Sequence, residues 1–180
     1  EGAAWLEETA IRALEALGEK TPDRGPVKVG RGFASYVQSY GRITWLHDTS
    51  RAWVGVELDG TVLVRSSAPD LGAGQASVLC QVAGEVLGVP LAEVVIHGMD
   101  SALTPLAGTT TATRQTYMSG NAVFQAAIAV RDVMLERGSR HFEERSEHLD
   151  MADGRVFVKK RPQESLPLSA LAAMCAAEGL

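Results

Sequence analysis

The chain has 180 residues, 46% hydrophobic and 22% charged, with 17 basic against 22 acidic side chains and a net charge of −5. That composition excludes a disordered, collagen-like or coiled-coil chain, and the acidic balance offers nucleic acid or an anionic membrane no overall attraction. Two cysteines, Cys80 and Cys175, are too few for a disulfide framework or a zinc cluster, and no 18-residue apolar run marks a membrane span.

In chain order, Leu6, Ala10, Leu14 and Leu17 recur at helical spacing and predict a helix over 3–17 that ends at Gly18. The chain starts inside this pattern without Met, as a processed or excised chain would. It carries no signal-peptide pattern, and a cytoplasmic location is expected. Residues 19–26 hold two prolines and a glycine, a linker composition. They divide an N-terminal helix and linker, 1–26, from a larger domain, 27–180. Phe33, Tyr36, Val37 and Tyr40 predict an extended segment over 29–40. Residues 53–58 and 61–65 are β-rich runs around Asp59-Gly60, a tight-hairpin signature.

Residues 75–87 read as a helix, with Val78, Val82 and Val86 in one row and Leu79, Ala83 and Leu87 in the next. A strand follows over 93–97. A loop then runs from Gly98 to about Met118 with six threonines, a length more often functional than idle. Residues 120–136 predict a second helix capped by Ser119. Residues 141–151 are charged and give no clear element. Asp153-Gly154 predicts a second hairpin leading into 155–158, with Lys159-Lys160-Arg161 as a solvated edge. Leu168–Ala177 predicts a short apolar helix capped by Ser169. Cys80 and Cys175 fit buried free thiols, and Trp5, Trp45 and Trp53 fit core positions. The order of elements predicts a mixed α/β (α+β) fold, a mixed sheet built from hairpins with the helices packed on it.

Two loops carry the candidate chemistry. Asp70-Leu71-Gly72-Ala73-Gly74-Gln75 lies between a strand and a helix. Its glycines let backbone N–H groups approach a ligand, and the helix start adds partial positive charge, so it reads as an anion seat or as a tight turn. It lacks the third glycine of a dinucleotide fingerprint and the lysine of a P-loop. Gly108-Thr109-Thr110-Thr111-Ala112-Thr113-Arg114-Gln115-Thr116 crowds five hydroxyls, a guanidinium and an amide into nine residues, suited to phosphate and nucleobase edges or to solvent. Together they predict a site for a large, polar, phosphorylated ligand where the two loops meet. His47-Asp48 reads as a surface turn and His97, with Asp100 beyond it, as a core or strand-edge histidine. His141 and His148 have no metal-ligand spacing. No catalytic or metal-binding residue is assigned.

Ala68 to Gln75, the run Leu79-x-Gln81-Val82-Ala83-x-Glu85-Val86-Leu87-Gly88-Val89-Pro90, then Asp100, Pro105 and Ala112 to Val123, resemble the molybdopterin-binding large subunit of the xanthine dehydrogenase/aldehyde oxidase family. The resemblance covers about 28–137 well and 150–178 loosely. It implies the molybdenum-cofactor-binding fold of the molybdenum hydroxylases. The cofactor would be molybdopterin cytosine dinucleotide with molybdenum, and the reaction hydroxylation of an aldehyde or N-heterocycle. The remainder of the molybdenum subunit, with [2Fe–2S] and FAD in partner domains or subunits, would complete the enzyme. By the same resemblance Leu71, Gly72, Ala73, Gly74, Gln75, Ala112, Thr113, Arg114 and Gln115 would contact the cofactor, Arg114 either neutralising phosphate or bracing its loop.

The sequence departs from that family twice. The first loop has Ala73 where a glutamine is usual, so Gln75 substitutes, the electronics differ, or the contact is absent. The family's glycine-flanked catalytic glutamate and its substrate loops have no counterpart here. The chain therefore resembles one portion of a longer subunit, inactive alone and able to dimerise through surface that the rest would cover. A cofactor-free assembly or structural domain that keeps the fold is the alternative.

Overall fold

The computed structural model describes residues 2–19, 22–23, 25–34 and 48–179. The chain divides into two compact units, 1–39 and 40–180. In the first, helix α1 (Gly2–Leu17) stops at Gly18, whose φ of +60° reverses the chain and whose N–H donates to the Glu15 carbonyl at 3.0 Å. The Val29 N–H donates to Asp23 Oδ1 at 3.1 Å. Residues 28–34 carry no strand, and the rest of the extended segment expected over 29–40 lies outside the described residues, as do Trp45 and His47.

The second unit holds strands β1 (Trp53–Val56) and β2 (Val62–Ser66), helix α2 (Gln75–Leu87), strand β3 (Val94–Gly98) and helix α3 (Gly120–Phe142). Strands β4 (Leu149–Ala152), β5 (Arg155–Val158) and β6 (Arg161–Pro167) follow, then helix α4 (Leu168–Ala177). The mixed α/β class with packed helices is as expected. The strands, however, form two three-stranded sheets, β1-β2-β3 and β4-β5-β6, where one mixed sheet was expected. In the first, β1 and β2 are an antiparallel hairpin, and β3 joins β2 in parallel with Val62 opposite Val94. The second is antiparallel throughout. Its last strand escaped sequence reading because Arg161–Pro167 contains two prolines and little apolar alternation.

Both hairpin turns behave as their Asp-Gly pairs require. Asp59 Oδ1 accepts the Thr61 N–H at 2.9 Å, and Asp153 and Gly154 both take positive φ, 49° and 67°. Period-2 burial on β2 sends Val62, Val64 and Ser66 inward. Val62 and Val64 share one core with Leu79, Ala83 and Leu87 of α2 and Val123 and Ala127 of α3, and Met134 further along α3 belongs to the same core, which reaches Leu149, Met151, Val156 and Val158 of the second sheet. Each of the valines, leucines and methionines among them contributes roughly 1.5–3 kcal/mol when fully buried. Helix α3 is thus the spine shared by both sheets. Arg131 fastens it, donating to the Val86 carbonyl at the end of α2 (2.9 Å) and to Asp150 on β4 (2.5 Å).

Several local expectations are corrected. Helix α3 runs on to Phe142 and is preceded by a π turn, Gln115–Ser119. Ser119 lies within that turn and its side chain bonds Gln115 and Ser50 instead of capping α3. Pro167, not Ser169, precedes α4, without a side-chain cap. Trp53 is 43% exposed, with its ring under the Arg65 guanidinium 4.6 Å away, and is not a core residue. Cys80 and Cys175 are buried free thiols as expected. No helix among the described residues is long and apolar enough to cross a membrane.

Candidate functional site

The two loops singled out from the sequence line one cavity of about 400 Å³. Leu71, Ala73, Gln75 and Val78 form one wall and Thr110 to Thr116 the other. The fold brings them together for a simple reason. The first loop joins β2 to α2, and the second leads into α3, which packs against α2. One short contact joins the two segments directly, the Thr110 hydroxyl donating to the Pro69 carbonyl at 2.6 Å; within the second loop Gln115 Nε2 donates to Thr110 Oγ1 at 2.8 Å.

The first loop wraps around its own carboxylate. Asp70 Oδ1 accepts the N–H groups of Gly72 (2.9 Å) and Gly74 (3.2 Å), and Oδ2 accepts that of Ala76 (3.1 Å). These bonds hold the Asp70 carboxyl below its ordinary value, with the Ala76 and Gly72 N–H groups the largest causes. Gly72 and Gly74 make the wrap possible with φ of +99° and +79°, which L side chains resist. The sequence reading of this turn as an anion seat is thus met from within. The anion at the start of α2 is Asp70, and the N–H donors expected to face a phosphate are largely committed to it.

The second loop is held in strain around Arg114. Ala112 and Thr113 are consecutive non-glycine residues with φ of +46° and +60°. For the β-branched Thr113 this is an uncommon and costly conformation, of the kind that gathers at functional sites. What holds it is Arg114, whose side chain is 0% exposed. All five guanidinium N–H donors are engaged. Nε donates to Asp48 Oδ2 (2.9 Å), and Nη1 to the carbonyls of Ala107 (2.9 Å) and Thr109 (2.7 Å). Nη2 donates to the Thr49 carbonyl (3.1 Å) and lies 2.7 Å from Asp48 Oδ1. Of the two roles open to Arg114 in the sequence, the geometry is that of a brace.

Asp48 is the residue that sequence reading missed. As part of His47-Asp48 it read as a surface turn, yet its carboxylate is the counter-ion of the buried arginine 66 residues later. No local pattern announces a pairing of that span. Asp70 was visible as part of its loop, but its role was not. The signal available was Asp-x-Gly, in which an aspartate bonds the backbone N–H two residues on.

The remaining candidates divide as follows. Gln115 is buried and both ends of its carboxamide are used, Nε2 on Thr110 and Oε1 by the Ser119 hydroxyl. Gln75 lines the cavity, and its Oε1 is shielded from solvent without a hydrogen-bond partner among the described residues. Leu71 is 71% exposed at the rim. Beyond Gly72 and Gly74 a Cβ would meet nothing within 4 Å. No hydrogen bond to a described residue engages the hydroxyls of Thr111, Thr113 or Thr116. His97 sits half-exposed on the edge strand β3, 3.6 Å from Asp100, and His148 pairs with Glu144 at 3.1 Å. Among the described residues no cluster of three or more His, Cys, Asp or Glu could hold a metal ion directly.

The cavity thus lies between a glycine turn and a strained, hydroxyl-rich turn, each feeding a packed helix. The family follows from comparison. Residues 5–180 match the molybdopterin cofactor-binding domain model, and the chain belongs to that family. It is similar to the putative xanthine dehydrogenase molybdenum-binding subunit XdhA of Escherichia coli K12, 31% identical over 129 residues, covering 66% of this chain and 17% of that protein. It is also similar to the aldehyde oxidoreductase molybdenum-binding subunit PaoC of the same strain, 37% identical over 84 residues, covering 47% of this chain and 12% of that one. Among solved structures, quinoline 2-oxidoreductase from Pseudomonas putida 86 superposes with a TM-score of 0.64 at 28% identity, covering 69% of this chain and 16% of that one. The chain therefore spans about a sixth of the length of such relatives.

Proposed function

We propose that the cavity between Leu71–Gln75 and Thr110–Thr116 holds part of a molybdopterin cytosine dinucleotide, and that the chain is the cofactor-holding portion of a molybdenum hydroxylase acting on an aldehyde or N-heterocycle. The observation that carries this reading is the joining of the two loops in one cavity with uncommitted hydroxyls on its outer wall. The residues fit such a group: an unpaired carboxamide oxygen, open space beyond two glycines, three threonine hydroxyls, and apolar Leu71, Ala73 and Val78 for a ring face. When bound, that group supplies the redox-active metal for oxygen insertion at a carbon.

In this reading each part of the chain has a separate task. Ala112, Thr113 and Thr116, with the backbone of their turn, bind and orient the polar, phosphate-bearing stretch. Arg114 holds that turn in its strained shape without touching the ligand. Gln115 ties the turn to the π turn before α3. Ala73 leaves room where a larger side chain would stand. The catalytic groups, the substrate pocket and the [2Fe–2S] and FAD carriers belong to other parts of the enzyme, and these 180 residues alone turn over no substrate.

The test is Ala73→Phe, which fills the cavity from an exposed position. It is expected to melt like the wild type and to lose the molybdenum and releasable CMP that the wild-type protein carries from its host. Full retention of both would overturn this site. Neither molybdenum nor CMP on the wild-type protein, in an intact complex, would favour the cofactor-free structural role instead.

A further inference from the structure

Among the described arginines, only the guanidiniums of Arg51 and Arg65 have no hydrogen bond or ion pair with a described residue. The others reach a carboxylate, a hydroxyl or a backbone carbonyl. Both of these arginines line one cavity of about 710 Å³, where the start of β1 meets the first turns of α3. No Asp or Glu lines it, although the chain carries a net charge of −5. It shares no residue with the cavity between the two loops.

Arg65 is half-buried, and what holds it is an aromatic face. It stands opposite Trp53 in the β1–β2 register, with its guanidinium carbon 4.6 Å from the centre of the Trp53 ring. Gly55 leaves that ring its room, because a Cβ there would collide with it. Stacking uses the flat face of a guanidinium and leaves the N–H donors on its edge free, in the fork that matches a carboxylate or a phosphate. Arg51 is fixed at its backbone, where its N–H donates to the Leu106 carbonyl at 3.0 Å. Two like charges on one cavity repel each other, and an anion between them turns that repulsion into attraction.

The rest of the lining sets the size and character of the ligand. Leu103, Pro105 and Ala122 give an apolar wall, and Gln125 adds one carboxamide. The volume lies within the range of roughly 300–1,000 Å³ that small-molecule sites occupy. We propose that this cavity is a second ligand site, taking a small organic anion. Its carboxylate or phosphate lies between the Arg51 and Arg65 guanidiniums, and its apolar body rests against Leu103, Pro105 and Ala122. This site stands independently of the cofactor reading above.

Benzoate, phenyl phosphate and uncharged benzamide are titrated by calorimetry into the protein with every associated chain retained. At least one of the two anions is expected to bind about tenfold tighter than benzamide or better, and the tighter of the two names the charged group. Arg51→Gln and Arg65→Gln are each expected to weaken that anion about tenfold. Arg51 is exposed, so its variant decides the matter even if loss of the Trp53 stack unsettles Arg65→Gln. Ala73→Phe, which fills the other cavity, is expected to leave the anion affinity within about threefold of wild type. Benzamide binding as well as either anion, no binding of any probe, or an Arg51→Gln affinity within about threefold of wild type would each overturn the site. Loss of the anion in Ala73→Phe would overturn it too, by moving the binding to the two-loop cavity.

Discussion

Arg114 Nη2 lies 2.7 Å from Asp48 Oδ1, and Nε of the same guanidinium donates to the other carboxylate oxygen at 2.9 Å. This bidentate pair connects the segment before β1 to the turn before α3. The arginine is buried, so its charge has no aqueous refuge once the partner is removed. Arg114→Ala takes the guanidinium away from Asp48 and from the carbonyls of Ala107, Thr109 and Thr49. A loss of about 3–5 kcal/mol is expected, measured by urea denaturation. Arg114→Lys is not a rescue, because an ammonium cannot reproduce five donors in a planar fork. A wild-type midpoint in the lysine variant would show that the brace is not what holds this turn.

Gly88 ends α2 with φ of +60°, and a Cβ there would lie 2.4 Å from the Met151 carbonyl oxygen of β4. Gly88→Ala therefore combines left-handed strain with a backbone collision, and a loss well above about 2 kcal/mol is expected. Gly72→Ala meets open space at φ +99° and carries the conformational cost alone, about 1–2 kcal/mol. Thermal melts of the two variants side by side test the distinction, and equal losses would contradict it.

Much of this was legible in the sequence, and the reason differs by element. Helix α2 was readable to the residue because Val and Leu recur at its period and glycines bracket it. Both hairpins followed from Asp-Gly: Gly60 takes a positive φ in the first turn, and Asp153 and Gly154 both do in the second. The meeting of the two candidate loops was also readable, because each precedes a helix and those helices pack. The Asp48–Arg114 pair was not, because nothing local specifies a contact across 66 residues. Nor was the filling of the α2 start by Asp70, which turns on a side-chain rotamer and not on composition. The second sheet was hidden by β6, whose exposed, proline-bearing sequence lacks the alternation of a buried strand.

Acid should loosen the protein. Asp59, Asp70, Asp100, Glu144 and Asp150 all sit below their ordinary carboxyl values, chiefly through backbone N–H bonds at Asp59, Asp70 and Asp100. At Glu144 the main cause is His148, and at Asp150 the Met151 N–H and Arg131 outweigh burial. A folded pKa below the unfolded one means that the unfolded chain takes up protons first. This stabilisation is complete above the ordinary values of 3.8 for Asp and 4.5 for Glu, and drains as pH falls through the lower folded values. Melting curves from pH 7 to pH 3 should show it. Asp70→Asn should be less stable at pH 7 and lose less on acidification, and parallel curves would contradict the role given to Asp70.

Both cysteines should be silent in the native state. Burial raises the Cys80 thiol above its usual range, and Cys175 lies on the buried side of α4. An Ellman titration at pH 8 should find negligible native reaction and two thiols after denaturation. Rapid native labelling of either would place it outside the core.

The most direct test of the central claim is the molybdenum and released CMP carried by this protein when purified from its host with every associated chain retained. The two-loop cavity predicts both at near one per chain. An intact complex containing neither would contradict the cofactor-holding role and leave the chain a structural domain of the same fold.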